Sequence, residues 1–251
     1  MMFVNIVLLF LIGCYTSASI PLQTLCANRT IITFGDSLTH GLYQTTEPRD
    51  KIGYHPYAKE LQNLFKNYSV VVEEKGLSGE KASDLMYLLP PILKEKRKDP
   101  IFVVILAGTN DLAARLGHKS IVWHVRKMHN AVQQHALHIK RNIYTIALSI
   151  PQMRWDMKES DRISVNRDIR EYALRCNSSV SYLDLNEKFN QSKPEDAKMW
   201  SSDYVHFSRV GYDILGKMVF NKMEEIATTK TEASLTTMDF TSVCNGWDVD
   251  E

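Results

Sequence analysis

A serine, an aspartate and a histidine occur in this sequence in an arrangement that could carry out acyl transfer. Ser37 lies in the segment Gly-Asp-Ser-Leu at residues 35–38, and Asp203 precedes His206 by three residues. A serine hydroxyl is a weak nucleophile until a neighbouring base removes its proton, and an imidazole titrates near neutral pH. On a turn, a spacing of three residues lets a carboxylate reach the imidazole Nδ1. We therefore predict Ser37 as the nucleophile, His206 as its base and Asp203 as the acid that orients the base.

Acyl transfer also requires hydrogen-bond donors for the negatively charged oxygen of its tetrahedral intermediate. The candidate donors are the backbone N–H groups of Ser37 and Gly79 and the side-chain amide of Asn110. A glycine suits such a place because a backbone without Cβ can approach the substrate closely. The next residue, Asp111, is expected to cap the helix that follows it. By itself the segment at residues 35–38 would predict only a turn.

Five apolar runs alternate with helical patterns along the chain, and these elements must position the polar segments. The predicted strands are residues 31–34, 69–74, 101–107, 143–150 and 180–185, and the predicted helices are residues 56–65, 83–98, 120–140, 160–176 and 210–226. Pro90 and Pro91 are expected to break or restart the second helix. This alternation predicts a doubly wound α/β domain with a parallel sheet. Ligands bind beyond the carboxyl ends of such strands, where the polar segments occur.

The four polar segments together resemble the blocks of the GDSL, or SGNH, hydrolase family, which is named for its Ser, Gly, Asn and His. They follow the family's order between residue 33 and about residue 216. The resemblance implies a three-layer α/β/α sandwich with a five-stranded, flavodoxin-like parallel sheet. It also implies the roles given above, which fall on Ser37, Gly79, Asn110, Asp203 and His206. Two departures, Glu-Lys at residues 74–75 and Phe-Ser at residues 207–208, leave the substrate preference open.

The expected reaction is hydrolysis of a carboxylic ester through an acyl-serine, without a metal or an organic cofactor. An acyltransferase or a carbohydrate O-deacetylase would use the same acyl-enzyme, so the motifs do not separate these alternatives. A non-enzymatic binding glycoprotein is disfavoured because it would not need the whole set of site residues. Small soluble esters are favoured over long-chain lipids because no lid insertion is recognisable. Met153 and Trp155, after the fourth predicted strand, could line the acyl or alcohol pocket.

The charge balance favours a small, weakly charged molecule as the partner, and the histidines do not predict a metal site. The chain has 30 Lys and Arg against 29 Asp and Glu, which provides no electrostatic surface for nucleic acid or an anionic membrane. A metal site is disfavoured because the histidines of the third predicted helix have no carboxylate or cysteine beside them, and a solvated helix face explains them more simply. These histidines are His124, His129, His135 and His138.

The first residues are typical of a secretory leader. Residues 3–12 are apolar but shorter than the roughly 20 residues that span a bilayer, and a small-residue stretch follows. We therefore expect a signal peptide at residues 1–19, a hydrolase domain at residues 20–226 and no stable membrane span. No basic residue precedes the apolar run, which leaves an uncleaved membrane anchor as an alternative. Residues 11–14 also resemble a bacterial lipoprotein processing box that would place a lipid on Cys14, although the missing basic residue weakens that alternative too. Residues 227–251 are expected to be a disordered tail unless Cys244 tethers it.

Cysteines and glycosylation motifs agree with export to an extracellular or secretory-pathway compartment. Without the leader, three cysteines allow one disulfide and one free thiol, and the pairing stays open among Cys26, Cys176 and Cys244. Four Asn-x-Ser/Thr motifs favour a eukaryotic secretory glycoprotein, with candidate acceptors at Asn28, Asn67, Asn177 and Asn190.

Overall fold

The computed structural model describes residues 19–45, 51–95, 99–153, 159–176, 179–191 and 193–230. Residues 1–18 of the predicted leader and residues 231–251 of the predicted tail lie outside these ranges. In the described part, the strands are β1 Arg29–Gly35, β2 Leu42–Thr45, β3 Lys51–Tyr54, β4 Val70–Gly76, β5 Pro100–Leu106, β6 Tyr144–Leu148 and β7 Val180–Leu183. The α-helices are α1 Leu22–Cys26, α2 Ser37–His40, α3 Tyr57–Leu64, α4 Ala82–Leu93, α5 Thr109–Ala113, α6 His118–Ile139, α7 Glu159–Arg175 and α8 Arg209–Thr228, and a 3₁₀ helix spans Pro194–Met199.

Five parallel strands form the central sheet in the order β4-β1-β5-β6-β7. Numbered along the chain within this sheet, the order is second, first, third, fourth and fifth, which is the flavodoxin-like order. The predicted three-layer α/β/α fold with a five-stranded parallel sheet is confirmed. Later strands are added on one side of β1 as β4 and on the other side as β5, β6 and β7, so the strand order switches direction beside β1, where such sheets bind ligands.

Each face of the sheet packs against its own set of helices. Helices α1, α3 and α8 cover one face, and α4, α6 and α7 cover the other. Successive side chains of a strand point to opposite faces. In β5, Phe102 and Val104 therefore enter the first core, whereas Val103 and Ile105 enter the second. Every residue of β5 is buried, as expected for a central strand.

Helix α4 continues through its two prolines, contrary to the expected break. Pro90 and Pro91 both lie within the helix, which ends at Leu93. Each proline removes one backbone donor, so only the last turn is weakened. Leu85, Leu89 and Leu93 are buried along one face of the helix. Packing of this apolar stripe outweighs the lost hydrogen bonds, which sequence propensity alone could not indicate.

A two-stranded antiparallel hairpin, β2–β3, was not predicted from the sequence. Leu42 pairs with Tyr54 and Thr45 pairs with Lys51, and residues 46–50 between the strands lie outside the described residues. Its residues are exposed or half-buried, so the alternation of apolar and polar side chains that predicts a strand is absent. The Ser201 hydroxyl accepts from the Gln44 N–H at 2.7 Å and donates to the Gln44 carbonyl at 2.8 Å. The hairpin is thereby fixed to the segment that precedes His206.

One histidine of α6 is part of the core, so the expectation of a solvated face is wrong for it. His129 is fully buried, and its Nδ1 lies 2.9 Å from the Thr145 hydroxyl oxygen of β6. Burial lowers the pKa of His129 to about 3, so its ring is neutral at physiological pH. Within the described residues, no group of three metal-binding side chains comes together. No helix in the same residues has the length and apolarity required to cross a bilayer.

The described cysteines include one bonded and one free residue. Cys176 is disulfide-bonded, and Cys244 lies outside the described residues. Cys26 is a buried free thiol at the end of α1. Burial raises the pKa of the Cys26 thiol to about 12, because the thiolate would lose its hydration. Cys26 is therefore an unreactive core residue.

Candidate active site

The structure brings the four polar segments to the carboxyl end of the sheet. Ser37 begins α2 directly after β1, the loop with Gly79 follows β4, and Asn110 follows β5. His206, from the segment before α8, reaches Ser37 across this edge of the sheet. The site therefore lies beside the reversal of the strand order, as expected for an open parallel sheet.

The backbone around Ser37 is fixed from both sides. A Cβ at Gly35 would lie 2.0 Å from the carbonyl oxygen of Leu106, so only glycine permits this approach of β1 to β5. Asp36 caps α2, because its Oδ1 accepts a hydrogen bond from the Leu38 N–H at 3.0 Å. The Ser37 N–H, at the first position of the helix, donates to no described residue. This donor is thus free to bind a substrate oxygen.

Ser37, His206 and Asp203 form a continuous chain of hydrogen bonds. His206 Nδ1 lies 2.7 Å from Asp203 Oδ2, and His206 Nε2 lies 2.8 Å from Ser37 Oγ. The carboxylate can only accept, so Nδ1 carries the hydrogen and the neutral ring presents Nε2 as an acceptor for the serine hydroxyl. The geometry needed for transfer of the Ser37 proton to His206 is present before any substrate binds.

Three donors hold the Asp203 carboxylate in its charged form. Its Oδ1 accepts from the backbone N–H groups of Val205 and His206, each at 2.9 Å, and its Oδ2 accepts from the His206 ring. Burial raises the pKa of Asp203, but these hydrogen bonds and the attraction to the protonated form of His206 outweigh burial, so the pKa lies below its usual value. Asp203 is therefore ionised at neutral pH.

The segment that carries Asp203 and His206 closes into a tight loop. The Ser201 N–H donates to the His206 carbonyl at 2.9 Å. Between the acid and the base, Tyr204 adopts a φ of +55°, which is uncommon for a residue with a Cβ. Its carbonyl accepts a hydrogen bond from the Gln191 side chain at 2.7 Å. The surrounding bonds thus maintain a strained backbone turn at the site, as they do at many functional sites.

Gly79 and Asn110 belong to two segments that the structure joins directly. Gly79 has a φ of +88°, which favours glycine, and its N–H donates to no described residue. Asn110 Nδ2 donates to the carbonyl of Glu80, the next residue after Gly79, at 2.8 Å. An amide nitrogen has two hydrogens, so this bond leaves one of them for a ligand.

Asp111 caps a helix other than the one expected. It lies inside α5, and its Oδ2 accepts from the N–H of Ala82, the first residue of α4, at 2.8 Å. The prediction that it caps the following helix is therefore wrong. The carboxylate instead supplies the acceptor that the N-terminus of α4 lacks in its own sequence, since Lys81 provides no side-chain cap. Burial raises the pKa of Asp111 above its usual value.

Three residues at the edge of the site, His40, Ser78 and Tyr54, were not recognised from the sequence. His40 Nδ1 lies 2.9 Å from Ser78 Oγ, and the His40 ring stacks on Tyr54. No motif indicates this cluster, because its members come from α2, the loop after β4 and the unpredicted hairpin.

The two residues predicted to line a pocket have different outcomes. Met153 is buried in the core, and Trp155 lies outside the described residues.

Comparison with known proteins identifies the family of this chain. Residues 33–214 match the model of the GDSL-like lipase/acylhydrolase family. The chain is 24% identical over 196 residues to the isoamyl acetate-hydrolyzing esterase of Saccharomyces cerevisiae, covering 72% of this chain and 80% of the yeast protein.

Solved structures of low sequence identity share the fold. A carbohydrate acetylesterase family member from Sinorhizobium meliloti superposes with a TM-score of 0.62 at 16% identity, covering 79% of this chain and 99% of that chain. The lipase/acylhydrolase from Enterococcus faecalis superposes with a TM-score of 0.59 at 21% identity, covering 78% of this chain and 96% of that chain. The family match spans more than half of the chain, so this protein belongs to the GDSL-like lipase/acylhydrolase family and is a hydrolase that acts on ester bonds.

Proposed function

We propose that this protein is a secreted serine esterase that hydrolyses small carboxylic esters through an acyl-serine intermediate. The observation that carries the proposal is the chain of hydrogen bonds from Asp203 through His206 to Ser37, with heavy-atom distances of 2.7 and 2.8 Å. A serine activated by a base that is itself oriented by a carboxylate is the arrangement required for nucleophilic attack on an ester.

In the first half of the reaction, Ser37 Oγ attacks the carbonyl carbon of the ester and His206 Nε2 accepts the hydroxyl proton. The Asp203 carboxylate stabilises the imidazolium that forms. The tetrahedral oxyanion accepts hydrogen bonds from the Ser37 N–H, the Gly79 N–H and the Asn110 amide. The ester C–O bond then breaks, and the leaving alkoxide takes the proton from His206.

In the second half, water attacks the carbonyl carbon of the acyl-serine and gives a proton to His206. The same three donors stabilise the second oxyanion. The bond between the acyl carbon and Ser37 Oγ breaks, and the proton on His206 returns to Oγ. The carboxylic acid leaves and the enzyme is restored.

We favour short acyl groups, with acetate as the first to test. The yeast relative is named for hydrolysis of isoamyl acetate, and a solved structure of the same fold is named as a carbohydrate acetylesterase family member. Transfer of the acyl group to a sugar or another alcohol would share the first half-reaction. Product analysis in the presence of an alcohol acceptor distinguishes transfer from hydrolysis, because only transfer yields a new ester.

The test of the proposed chemistry is labelling of the purified protein with a fluorophosphonate, together with hydrolysis of p-nitrophenyl acetate. We expect one adduct on Ser37 and an ester turnover that both disappear in Ser37→Ala. Turnover by p-nitrophenyl esters of increasing acyl length should fall as the chain lengthens. A folded protein that forms no Ser37 adduct would contradict the proposal.

Secretion is supported by the disulfide bond of Cys176, because disulfides persist in oxidising compartments. Asn28 and Asn67 are both exposed, as glycan acceptors must be, and Asn190 is half-buried. The remaining candidate, Asn177, lies outside the described residues. Expression of the full chain in cultured eukaryotic cells should give a protein in the medium whose mass falls on treatment with peptide N-glycosidase. Retention inside the cells without glycans would contradict this part of the proposal.

A further inference from the structure

The turn at residues 77–80 presents the Gly79 N–H and has few contacts of its own. It is closed by a hydrogen bond from the Glu80 N–H to the Leu77 carbonyl at 3.2 Å. Ser78 and Gly79 at its apex are exposed, and a Cβ on Gly79 would contact nothing within 4 Å. Burial therefore does not fix the apex of the turn, so its orientation must come from hydrogen bonds.

Hydrogen bonds hold the two ends of this turn. At one end, the Leu77 N–H donates to the carbonyl of Gly35 at 2.8 Å. At the other end, the Glu80 carbonyl accepts from the Asn110 side chain at 2.8 Å. Neither bond involves the Ser78–Gly79 peptide unit. Because a peptide unit is planar, this unit alone sets the direction of the Gly79 N–H.

A side-chain contact from the nucleophile helix fixes the apex. Ser78 Oγ lies 2.9 Å from Nδ1 of His40, the last residue of α2. Ser37 is the first residue of the same helix, so the contact links the serine and the Gly79 turn by a short path. The His40 ring stacks on Tyr54 with ring centroids 4.3 Å apart and an angle of 30° between the planes. Tyr54 is held in turn by the pairing of β3 with β2.

We propose that His40 and Ser78 are positioning residues that aim the Gly79 N–H at the oxyanion, with Tyr54 fixing the His40 ring. This inference rests on the proposed esterase function. The side-chain bond restrains Ser78, and Ser78 contributes the carbonyl half of the peptide unit whose N–H belongs to Gly79. Without the bond, the exposed apex can rotate while both ends of the turn stay in place. Neither His40 nor Ser78 needs to touch the substrate.

Matched variants distinguish the effect of losing the His40–Ser78 hydrogen bond from the effect of losing side-chain volume. In His40→Asn, a side-chain amide atom stands near the position of the imidazole Nδ1, whereas His40→Ala removes every partner for Ser78. In Ser78→Thr the hydroxyl is retained, whereas Ser78→Ala lacks it. His138→Ala serves as a control, because His138 is an exposed histidine on α6 outside the site.

The experiment measures kcat and KM with p-nitrophenyl acetate, fluorophosphonate labelling of Ser37, and thermal unfolding for each variant. Loss of an oxyanion donor costs about 10²–10³ in turnover, and the turn keeps its two end contacts, so we expect about a tenfold fall in kcat for His40→Ala and for Ser78→Ala. KM should change less than about twofold, because the oxyanion forms only in the transition state. The double variant should be no slower than either single variant, since both changes remove one contact.

Conservative variants and controls decide the outcome. We expect His40→Asn and Ser78→Thr to recover most of the kcat, and His138→Ala to match the unchanged protein. Unchanged kcat in His40→Ala and Ser78→Ala, or additive losses in the double variant, would overturn the inference while leaving the esterase function intact. A fall in kcat that follows a lower melting temperature and is not recovered by the conservative variants would also overturn it. Absence of Ser37-dependent turnover in the unchanged protein would instead refute the proposed function itself.

Discussion

Two aspartates adjoin the reacting pair, one beside Ser37 and one beside His206, and their surroundings differ. Asp36 is fully buried, and its Oδ1 caps α2. Asp203 accepts three hydrogen bonds, two from backbone N–H groups and one from the His206 ring. Burial raises the pKa of Asp36 to about 6, although the Leu38 N–H, the Thr109 hydroxyl and the nearby His206 oppose the rise. The pKa of Asp203 is lowered.

The two carboxylates differ because Asp203 bonds directly to the His206 ring and to two backbone N–H groups, whereas burial dominates at Asp36. A carboxylate with several donors stays charged and can stabilise an imidazolium. The buried Asp36 carboxylate fixes the backbone at the start of α2 through its bond with the Leu38 N–H. Asp36 therefore shapes the turn that holds Ser37, whereas Asp203 supplies the negative charge.

The largest expected effect is the difference in activity between Asp203→Asn and Asp36→Asn. An amide at residue 203 can donate to the ring and favour the wrong tautomer, so kcat should fall by a factor on the order of 10³–10⁴. An amide at residue 36 still offers an oxygen to the Leu38 N–H, so its kcat should fall by no more than about tenfold. Ester turnover of the two variants measures the difference. Equal losses would show that Asp36 also supports the base.

A second prediction extends the comparison to neighbouring residues of α5. Asn110→Ala removes a proposed oxyanion donor, so kcat should fall by about 10²–10³, and loss of its bond to Glu80 should lower the free energy of unfolding by only about 0.5–1 kcal/mol. Asp111→Ala removes the acceptor for the Ala82 N–H and should destabilise the protein by about 1–2 kcal/mol. Asp111→Asn keeps an acceptor and serves as the control. Kinetics and denaturant unfolding of all three variants test this division, and a stability loss in Asn110→Ala larger than in Asp111→Ala would contradict it.

The third prediction is a pH dependence of stability with opposite signs for the two aspartates. Because the pKa of Asp36 is raised from 3.8 to about 6 on folding, its contribution to stability is full below pH 3.8 and is lost as the pH rises towards 6. Because the pKa of Asp203 is lowered, its contribution is present above pH 3.8 and is lost as the pH falls through its folded value.

Asp36→Asn should therefore gain stability relative to the unchanged protein between pH 4 and pH 7, by about 1–3 kcal/mol at 1.36 kcal/mol per pKa unit. Urea unfolding at the two pH values measures this gain. Asp203→Asn, examined over pH 2 to 5, should lose its disadvantage as the pH falls. A constant stability difference across pH 4 to 7 for Asp36→Asn would show that the Asp36 pKa is unshifted.

The parts of the molecule that depend on local pattern were predictable from the sequence. The five central strands follow from apolar runs, and the long helix α6 follows from apolar residues at three- and four-residue spacing. Ser37, Gly79, Asn110 and His206 stand at the ends of such elements, so the topology of a parallel sheet brings them to one edge. The order and spacing of four short motifs carried the family assignment.

Features that depend on partners far along the chain were not predictable. Asp111 caps a helix that begins 29 residues earlier, and the His40–Ser78 bond joins residues 38 positions apart. Burial of His129 depends on β6, which lies beneath α6. The strands β2 and β3 are short and largely exposed, so neither alternation nor hydrophobicity marks them. In each case the deciding interaction is tertiary, and no local pattern contains it.

The bond between Ser37 and His206 joins residues that are 169 positions apart in the chain. Ser37 follows the first strand of the sheet, whereas His206 stands just before the last helix, so the pair can meet only when nearly the whole domain has assembled. Contacts of such long sequence separation are costly to close and form late in many folding reactions. During refolding, recovery of ester turnover should therefore lag behind recovery of the helical circular dichroism signal. Enzymatic activity then measures completion of the whole domain.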